Sequence, residues 1–282
     1  LRYPPGELVV STGTMPNAAD GRFGGAVDRV AIPSHRLKTV GGLLGWRRRV
    51  RSLVATRRIN FVWCGNIRPA AYVAWQTLRR DGVPYGILLH GSDLLQLRAR
   101  FRKSPLKRAT ARRLLGQARH LAANSAWTAA LAREVLAELG LPDRGQVVVV
   151  PLGTDPARFR PDIVTDEVAA RYHIAPGRAL LTVARLVPHK GIDVAIAALA
   201  RLKPRYPDLA YLVVGRGPDR ERLGELAARA GVAKAIQFLD GVPDNDLPAL
   251  YARADLYLGL SREEGLEVEG FGIAIADAAG AG

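Results

Sequence analysis

Cysteine is almost absent from this chain: Cys64 is the only one in 282 residues, so no intramolecular disulfide can form. A reducing compartment follows as the natural setting, and catalysis by Cys64 is not expected. No Cys/His cluster has metal-ligand spacing. No uninterrupted apolar run approaches the roughly 18 to 20 residues that span a bilayer, and no charged-then-apolar leader opens the chain. These absences point to the cytoplasm. The chain begins at Leu1 rather than methionine and stops at Gly282 inside a helical pattern, so both ends read as cut. Acidic residues are scarce beside basic ones, 26 against 41, for a net charge of +15.

That excess lies mostly in the first half, at Trp46-Arg-Arg-Arg-Val-Arg51, at Arg57-Arg58, and from Arg98 through Arg113. Contact with something anionic is one reading, either nucleic acid or an acidic membrane leaflet. In the membrane case the protein sits peripherally on the inner face of the plasma membrane, with Trp46 and Phe101 as interfacial side chains. Arginine far outnumbers lysine and alanine is plentiful, so a GC-rich genome accounts for the same bias. A nucleic-acid binder would need a reading helix or an aromatic stacking motif. Neither is visible, and nucleic acid is not expected as a partner.

From Arg57 to Leu152, short β-rich runs alternate with helical stretches. The runs are Ile59–Trp63, Tyr85–Leu89, His120–Asn124 and Gln146–Pro151; the helices cover Pro69–Asp81, Leu97–Gln117 and Ala126–Leu139. This pattern predicts a parallel sheet wrapped by helices, with the valines at Val147–Val150 buried on both faces. After a turn-rich Pro151–Pro161, the alternation restarts with strands beginning at Ala179, Ala210, Ile236 and Leu256. The fold class is therefore α/β, two Rossmann-like doubly wound parallel-sheet domains at 1–160 and 161–282. In such sheets ligands bind beyond the carboxyl ends of the strands, so the residues just after each strand matter most.

His90-Gly-Ser-Asp93 follows one strand. His90 can hydrogen-bond a substrate hydroxyl or stabilise charge; alternatively it caps the next helix, with Asp93 as N-cap. Arg185 and Lys190 flank the start of the helix near Ile192, where two cations oppose the helix dipole unless an anion joins them. Such a pair can neutralise a diphosphate without a metal. Gly215-Arg-Gly-Pro218 and Asp240-Gly241-Val242-Pro243 are glycine turns that either shape a nucleotide pocket or simply punctuate strand and helix. Glu269-Gly-Phe-Gly-Ile273 leads to Asp277 at an apolar, Ala-rich helix, a glycine-rich helix start beside carboxylates that fits a sugar phosphate. His120, His173 and His189 read as structural or solvated.

Taken in order, His90–Asp93, Ala123-Asn-Ser125, Pro151-Leu-Gly-Thr-Asp155, Arg185–Gly191, Val214–Pro218, Phe238–Gly241, Ala254-Asp255 and Glu269–Asp277 resemble the retaining glycosyltransferases of the GT-B fold, family 4. The segment Gly265–Ile273 looks most like the mannosyltransferases that build phosphatidylinositol mannosides. The resemblance implies two domains facing a cleft that holds a nucleoside diphosphate sugar, with no metal or other cofactor. It implies that Arg185 and Lys190 hold the diphosphate, and that Glu269 with the Phe271-Gly272-Ile273 backbone contacts sugar and phosphate. His90 would contact the transferred sugar, Gly241 and Val242 the base, and Gly153 would sit in the cleft. Gly215 belongs to the same donor set. Asp277 stands where the family usually has a ribose-binding glutamate, one methylene longer. The implied acceptor is a glycan, lipid or small molecule with a hydroxyl, and the family's first strand and glycine-rich loop would precede Leu1. The alternatives are a GT-B nucleotide-sugar epimerase or phosphorylase, or a non-catalytic basic nucleic-acid-binding protein.

Overall fold

The computed structural model describes residues 7–14 and 26–282, in two compact units, Leu1–Val150 and Pro151–Gly282. In the first unit, β1 (Val9–Thr14) and β2 (Ala26–Pro33) form a parallel pair of their own, followed by α1 (Val40–Arg57). Next come β3 (Val62–Cys64), α2 (Ala70–Asp81), β4 (Tyr85–Leu89), α3 (Ser92–Phe101), α4 (Pro105–Gly116), β5 (His120–Ala123), α5 (Ala126–Glu138) and β6 (Val147–Val149). The four strands β3 to β6 make a parallel sheet in that order. Cys64, Ile87, Leu121 and Val147 share one buried face with Leu94, Phe101, Leu114 and Leu136 from the covering helices. Tyr85 is fully buried there, and its hydroxyl donates to the Leu114 carbonyl at 2.6 Å.

Several expectations are corrected. The helix expected over Leu97–Gln117 is two helices, because Ser104 caps the Lys107 amide at 3.4 Å and Pro105 occupies the first turn, a helix start rather than a helix interior. The valine strand is not buried on both faces: β6 is the sheet edge, and Val148, Val149 and Val150 are exposed. Neither proposed interfacial aromatic is available. Trp46 is buried with its indole N–H donated to Ser11 Oγ at 3.1 Å, and Phe101 is a core residue. Much of the basic run is bound within the unit. Arg98 pairs with Glu134 at 3.3 Å and also with Glu138, Arg102 pairs with Glu138 at 2.8 Å, and Arg112 donates to the Leu139 carbonyl at 2.8 Å. These arginines fasten α3 and α4 to α5.

The second unit holds α6 (Asp166–Arg171), β7 (Ala179–Val183), α7 (Ile192–Leu202), β8 (Ala210–Val214), α8 (Arg220–Arg229), β9 (Ile236–Leu239), α9 (Leu247–Arg253), β10 (Leu256–Tyr257) and α10 (Ile273–Ala281). Its parallel sheet runs β10-β7-β8-β9. Tyr211 and Val213 face α7 and α8, whereas Leu181, Leu212 and Val214 face Leu250 and Ala281, so both sides are covered, as continuous apolar strands require. Phe159 packs in this second core, 5% exposed, and carries the turn-rich segment with it. The two compact units divide at Val150/Pro151, so this turn-rich segment lies with the second. Among the described residues no helix is long and apolar enough to cross a membrane.

Asp246, just before α9, is buried and accepts from Arg171 at 2.8 Å and from the Tyr172 hydroxyl at 2.6 Å. The Tyr172 bond, helped by Arg171 and opposed by burial, holds its carboxyl below the usual range. The lowered folded value means this stabilisation is complete above the unfolded pKa of about 3.9 and disappears as pH falls through the folded one. Asp246→Ala should cost about 2 kcal/mol at neutral pH, measurable by urea unfolding.

Candidate functional site

The second sheet changes direction between β7 and β10: the chain steps outward from β7 through β8 to β9, then returns to the other side of β7. The carboxyl ends of β7 and β10 therefore border the crevice where doubly wound sheets take ligands. Arg185 and Lys190 come from the loop after β7, and Ser261 and Glu269 from the loop after β10. Lys190 Nζ forms an ion pair with Glu269 Oε2, the same oxygen that accepts from Ser261 Oγ at 3.1 Å. Partial burial works against ionisation of Glu269, but the Lys190 pair, Ser261 and the Gly272 amide together hold its carboxyl below the ordinary glutamate range. The anion that Lys190 needs at this helix start is thus supplied by the protein itself, a pairing that no local pattern in the sequence indicates. Arg185 is exposed on the same loop.

Glycine makes this crowding possible. Gly191 turns at φ 68°, and a Cβ there would lie 2.1 Å from the Leu260 carbonyl oxygen. Gly215 has φ 142°, and its Cβ would meet the Ala184 oxygen at 1.9 Å. The loops after β7 and β8 are zipped by Leu186 N donating to Arg216 O at 2.9 Å and Asp219 N donating to Leu186 O at 3.1 Å. Arg262 reinforces the arrangement: its backbone N–H donates to His189 O at 2.8 Å and its guanidinium grips Asp193 at 3.0 Å through two bonds. Burial, with Lys190 and Arg185 nearby, pushes the His189 imidazole down, so it stays neutral at physiological pH. His189 and Arg262 were not among the expected site residues, and only the folded loops bring them here.

Gly272 caps α10 at φ 83°. Phe271, Gly272 and Ile273 form the amino end of that helix, where the first amides have no intrahelical acceptor and the dipole favours an anion. Asp277 lies within α10, and its Oδ1 accepts from Thr154 Oγ1 at 2.6 Å, joining the Gly153-Thr154 segment to the helix. Gly153 faces open space. Gly241, after β9 at φ 69°, leaves room for the Arg216 guanidinium, which would lie 2.2 Å from a Cβ there; Val242 beside it is half-buried. Every expected donor residue except His90 therefore belongs to the carboxyl-terminal unit.

His90 belongs to the amino-terminal unit, after β4, where its Nε2 is 3.0 Å from the Gly65 carbonyl on the loop after β3. Asp93 Oδ1 accepts the His90 amide at 3.1 Å and the Leu94 amide at 2.9 Å from within the first turn of α3; the N-cap is Gly91 with no side-chain cap, so neither His90 nor Asp93 caps the helix. Burial pushes the Asp93 carboxyl up, against those hydrogen bonds. Among the described residues no group of three or more His, Cys, Asp or Glu is placed to hold a metal. Burial raises the Cys64 thiol to about 12, which keeps it protonated. A thiol reagent at neutral pH should therefore leave the native protein unlabelled and modify one site in denaturant.

A model of Glycosyltransferase Family 4 matches residues 8–158, and one of glycosyl transferases group 1 matches residues 161–282. The chain belongs to glycosyltransferase family 4. Among curated members, it is 31% identical over 237 residues to a GDP-mannose-dependent alpha-(1-6)-phosphatidylinositol monomannoside mannosyltransferase of Mycobacterium tuberculosis, covering 83% of this chain and 59% of that one. It is 37% identical over 155 residues to a D-inositol 3-phosphate glycosyltransferase of Nocardia farcinica, covering 51% and 33%. The family 4 chain thus spans about three-fifths of the mannosyltransferase it matches. Its fold is that of the Anabaena protein Alr3699/HepE solved with UDP and glucose, with a TM-score of 0.72 at 19% identity over 96% of this chain and 70% of that one. WaaG, a glycosyltransferase involved in lipopolysaccharide biosynthesis, gives 0.66 at 18% over 97% and 79%.

Proposed function

We propose that this chain moves a hexose from a nucleoside diphosphate sugar to a hydroxyl acceptor with retention of anomeric configuration and without a metal. The observation that carries the reading is the meeting of Lys190 and Glu269 at the switch point of the second sheet, beside exposed Arg185 and the amino end of α10. Arg185 and Lys190 neutralise the charge that develops on the leaving diphosphate. Glu269 accepts from sugar hydroxyls, and the Phe271-Gly272-Ile273 amides face phosphate. As the bond from the anomeric carbon to the diphosphate oxygen breaks, the acceptor oxygen bonds to that carbon from the same face. Its proton passes to the departing diphosphate, so no protein nucleophile is consumed.

GDP-mannose is the first donor to test and UDP-glucose the second, on the GDP-mannose dependence of the Mycobacterium tuberculosis relative and the UDP and glucose bound in the Anabaena structure. Gly241 and Val242 border the base and Asp277 the ribose in this reading. A calorimetric panel of GDP, UDP, ADP and their sugar conjugates, run in chelator on this chain and on Lys190→Ala, tests it. Selective binding to the wild type that disappears in the variant is expected. Equal binding in the two proteins, or binding that needs a divalent cation, would sink the assignment.

A further inference from the structure

Glu269 reaches Lys190 from a loop that runs from the end of β10 at Tyr257 to the start of α10 at Ile273. Between Gly259 and Val268, among the described residues, every hydrogen bond or ion pair that leaves this loop for the rest of the unit starts at Arg262. Ser261 bonds to Glu269, and the Glu264 and Glu267 backbones pair with each other at 3.1 and 3.0 Å, so neither ties the loop down. Arg262 grips the neighbouring loop on both sides of its cation. Its amide donates to the carbonyl of His189, just before Lys190, and its guanidinium to the carboxylate of Asp193, just after Gly191 and Ile192.

This clamp is of the strong kind. Nη1 and Nη2 each meet one oxygen of Asp193 at 3.0 Å, the two-pronged geometry that orients an arginine–carboxylate pair and sets it above an ordinary surface pair. The Asp193 side chain is 22% exposed, with Arg222 a further 4.0 Å away. Burial works against ionisation of Asp193, but the Arg262 fork, helped by the Val194 amide and Arg222, holds its carboxyl below the usual range, so the clamp is charged at neutral pH. Neither Arg262 nor Asp193 has a part in the chemistry proposed above. A site that holds its charges to within about 0.5 Å nevertheless depends on the residues that fix them. Without the clamp, Glu269 keeps Ser261, which travels on the same loop, and the Gly272 amide at the loop's far end.

We infer that Arg262 is a positioning residue: through Asp193 and the His189 carbonyl it sets Glu269 against Lys190, and so governs recognition of the sugar half of the donor rather than of its diphosphate. The sugar assignment rests on the function proposed above; the placement of Glu269 rests on the bonds themselves. Loss of the clamp accordingly reads differently for the two halves of the donor. Arg185 and Lys190 stay on their own loop and still meet a diphosphate, whereas a displaced Glu269 leaves sugar hydroxyls without their acceptor.

Calorimetric titration of the full chain with GDP and GDP-mannose, and with UDP and UDP-glucose, tests this. In Arg262→Ala the sugar conjugate should bind about tenfold more weakly, while the matching diphosphate changes by less than threefold. Asp193→Asn should act in the same direction, and the double variant should lose no more than the weaker single one, because both act through one pair. Arg222→Ala removes a neighbouring fork on Asp219 that makes no bond to the loop, and should leave both affinities as they are. An unchanged thermal midpoint shows that a variant folds; Arg262→Gln, which keeps the stem and one donor, replaces an Arg262→Ala that does not. Equal weakening of conjugate and diphosphate, an undiminished conjugate, additive losses in the double variant, or the same loss in Arg222→Ala would each overturn the inference. A second readout needs no donor: carboxyl-carbon NMR of protein carrying labelled glutamate, with Glu269→Gln assigning the resonance. Lys190, Ser261 and the Gly272 amide face this carboxyl, and His189 and Tyr257 are the other titratable groups beside it. Its midpoint should lie below the ordinary glutamate value of about 4.3 in the wild type and rise toward it in the Arg262 variant. If no nucleotide or conjugate binds the wild type, the donor reading fails and this titration decides the placement alone, an unmoved midpoint overturning it.

Discussion

Lys190→Ala should lower turnover about a hundredfold if the proposed function holds, the rate equivalent of roughly 3 kcal/mol of lost charge stabilisation at a departing phosphate. The geometry makes the loss larger than removal of one surface cation. Lys190 retains only 16% side-chain exposure, and its partner Glu269 35%, so deletion leaves a half-buried carboxylate facing the position the diphosphate would take. Repulsion of the donor then adds to the missing attraction. Steady-state kinetics with the donor identified by calorimetry measure the effect, and a thermal midpoint within a few degrees of wild type separates it from misfolding. Near-normal turnover would remove Lys190 from the mechanism. The acid limb follows from the same pair. Because Glu269 ionises below its ordinary range, the ion pair is intact above the unfolded pKa of about 4.3 and breaks only as pH falls through the lower folded value.

Lys190 and Glu269 also mark how far the sequence could be read. Strand and helix alternation was legible because period and punctuation are local: Tyr85–Leu89 and Ile236–Leu239 are strands with the expected bounds. Glycine turns after strands named the right edge of each sheet. The Lys190–Glu269 pair was not legible as a pair, since 79 residues separate its members and only the return of β10 beside β7 joins them. Burial was misjudged wherever the sheet order decided it, as at Val148–Val150, whose apolar composition suits a central strand but whose place is an edge. Charge was misjudged for a related reason. Arg98 and Arg102 look like a solvated basic patch until α5 brings Glu138 against them. The early strands β1 and β2 escaped notice because α1 and its arginines dominate that stretch, and α6 is too short to show a period.

Gly215→Ala should destabilise the carboxyl-terminal unit by about 3 kcal/mol, lowering its thermal midpoint by roughly 10 °C. Two costs combine at this position. A φ of 142° lies where side-chain-bearing residues are strained, and the added Cβ would stand 1.9 Å from a backbone oxygen that has no freedom to retreat. Ala184, which owns that oxygen, is itself pinned by its amide bond to Val214 O at 3.0 Å, and the chain continues directly to Arg185. Any relief by backbone movement therefore shifts the loop that carries the cations. Gly231 provides the control, because it has φ 71° in the same unit but nothing within 4 Å of its Cβ position. Gly231→Ala should cost only the backbone component, about 1 kcal/mol. Differential scanning calorimetry on the two variants separates strain from collision, and equal losses would show that the close approach of Gly215 to Ala184 contributes nothing to the fold.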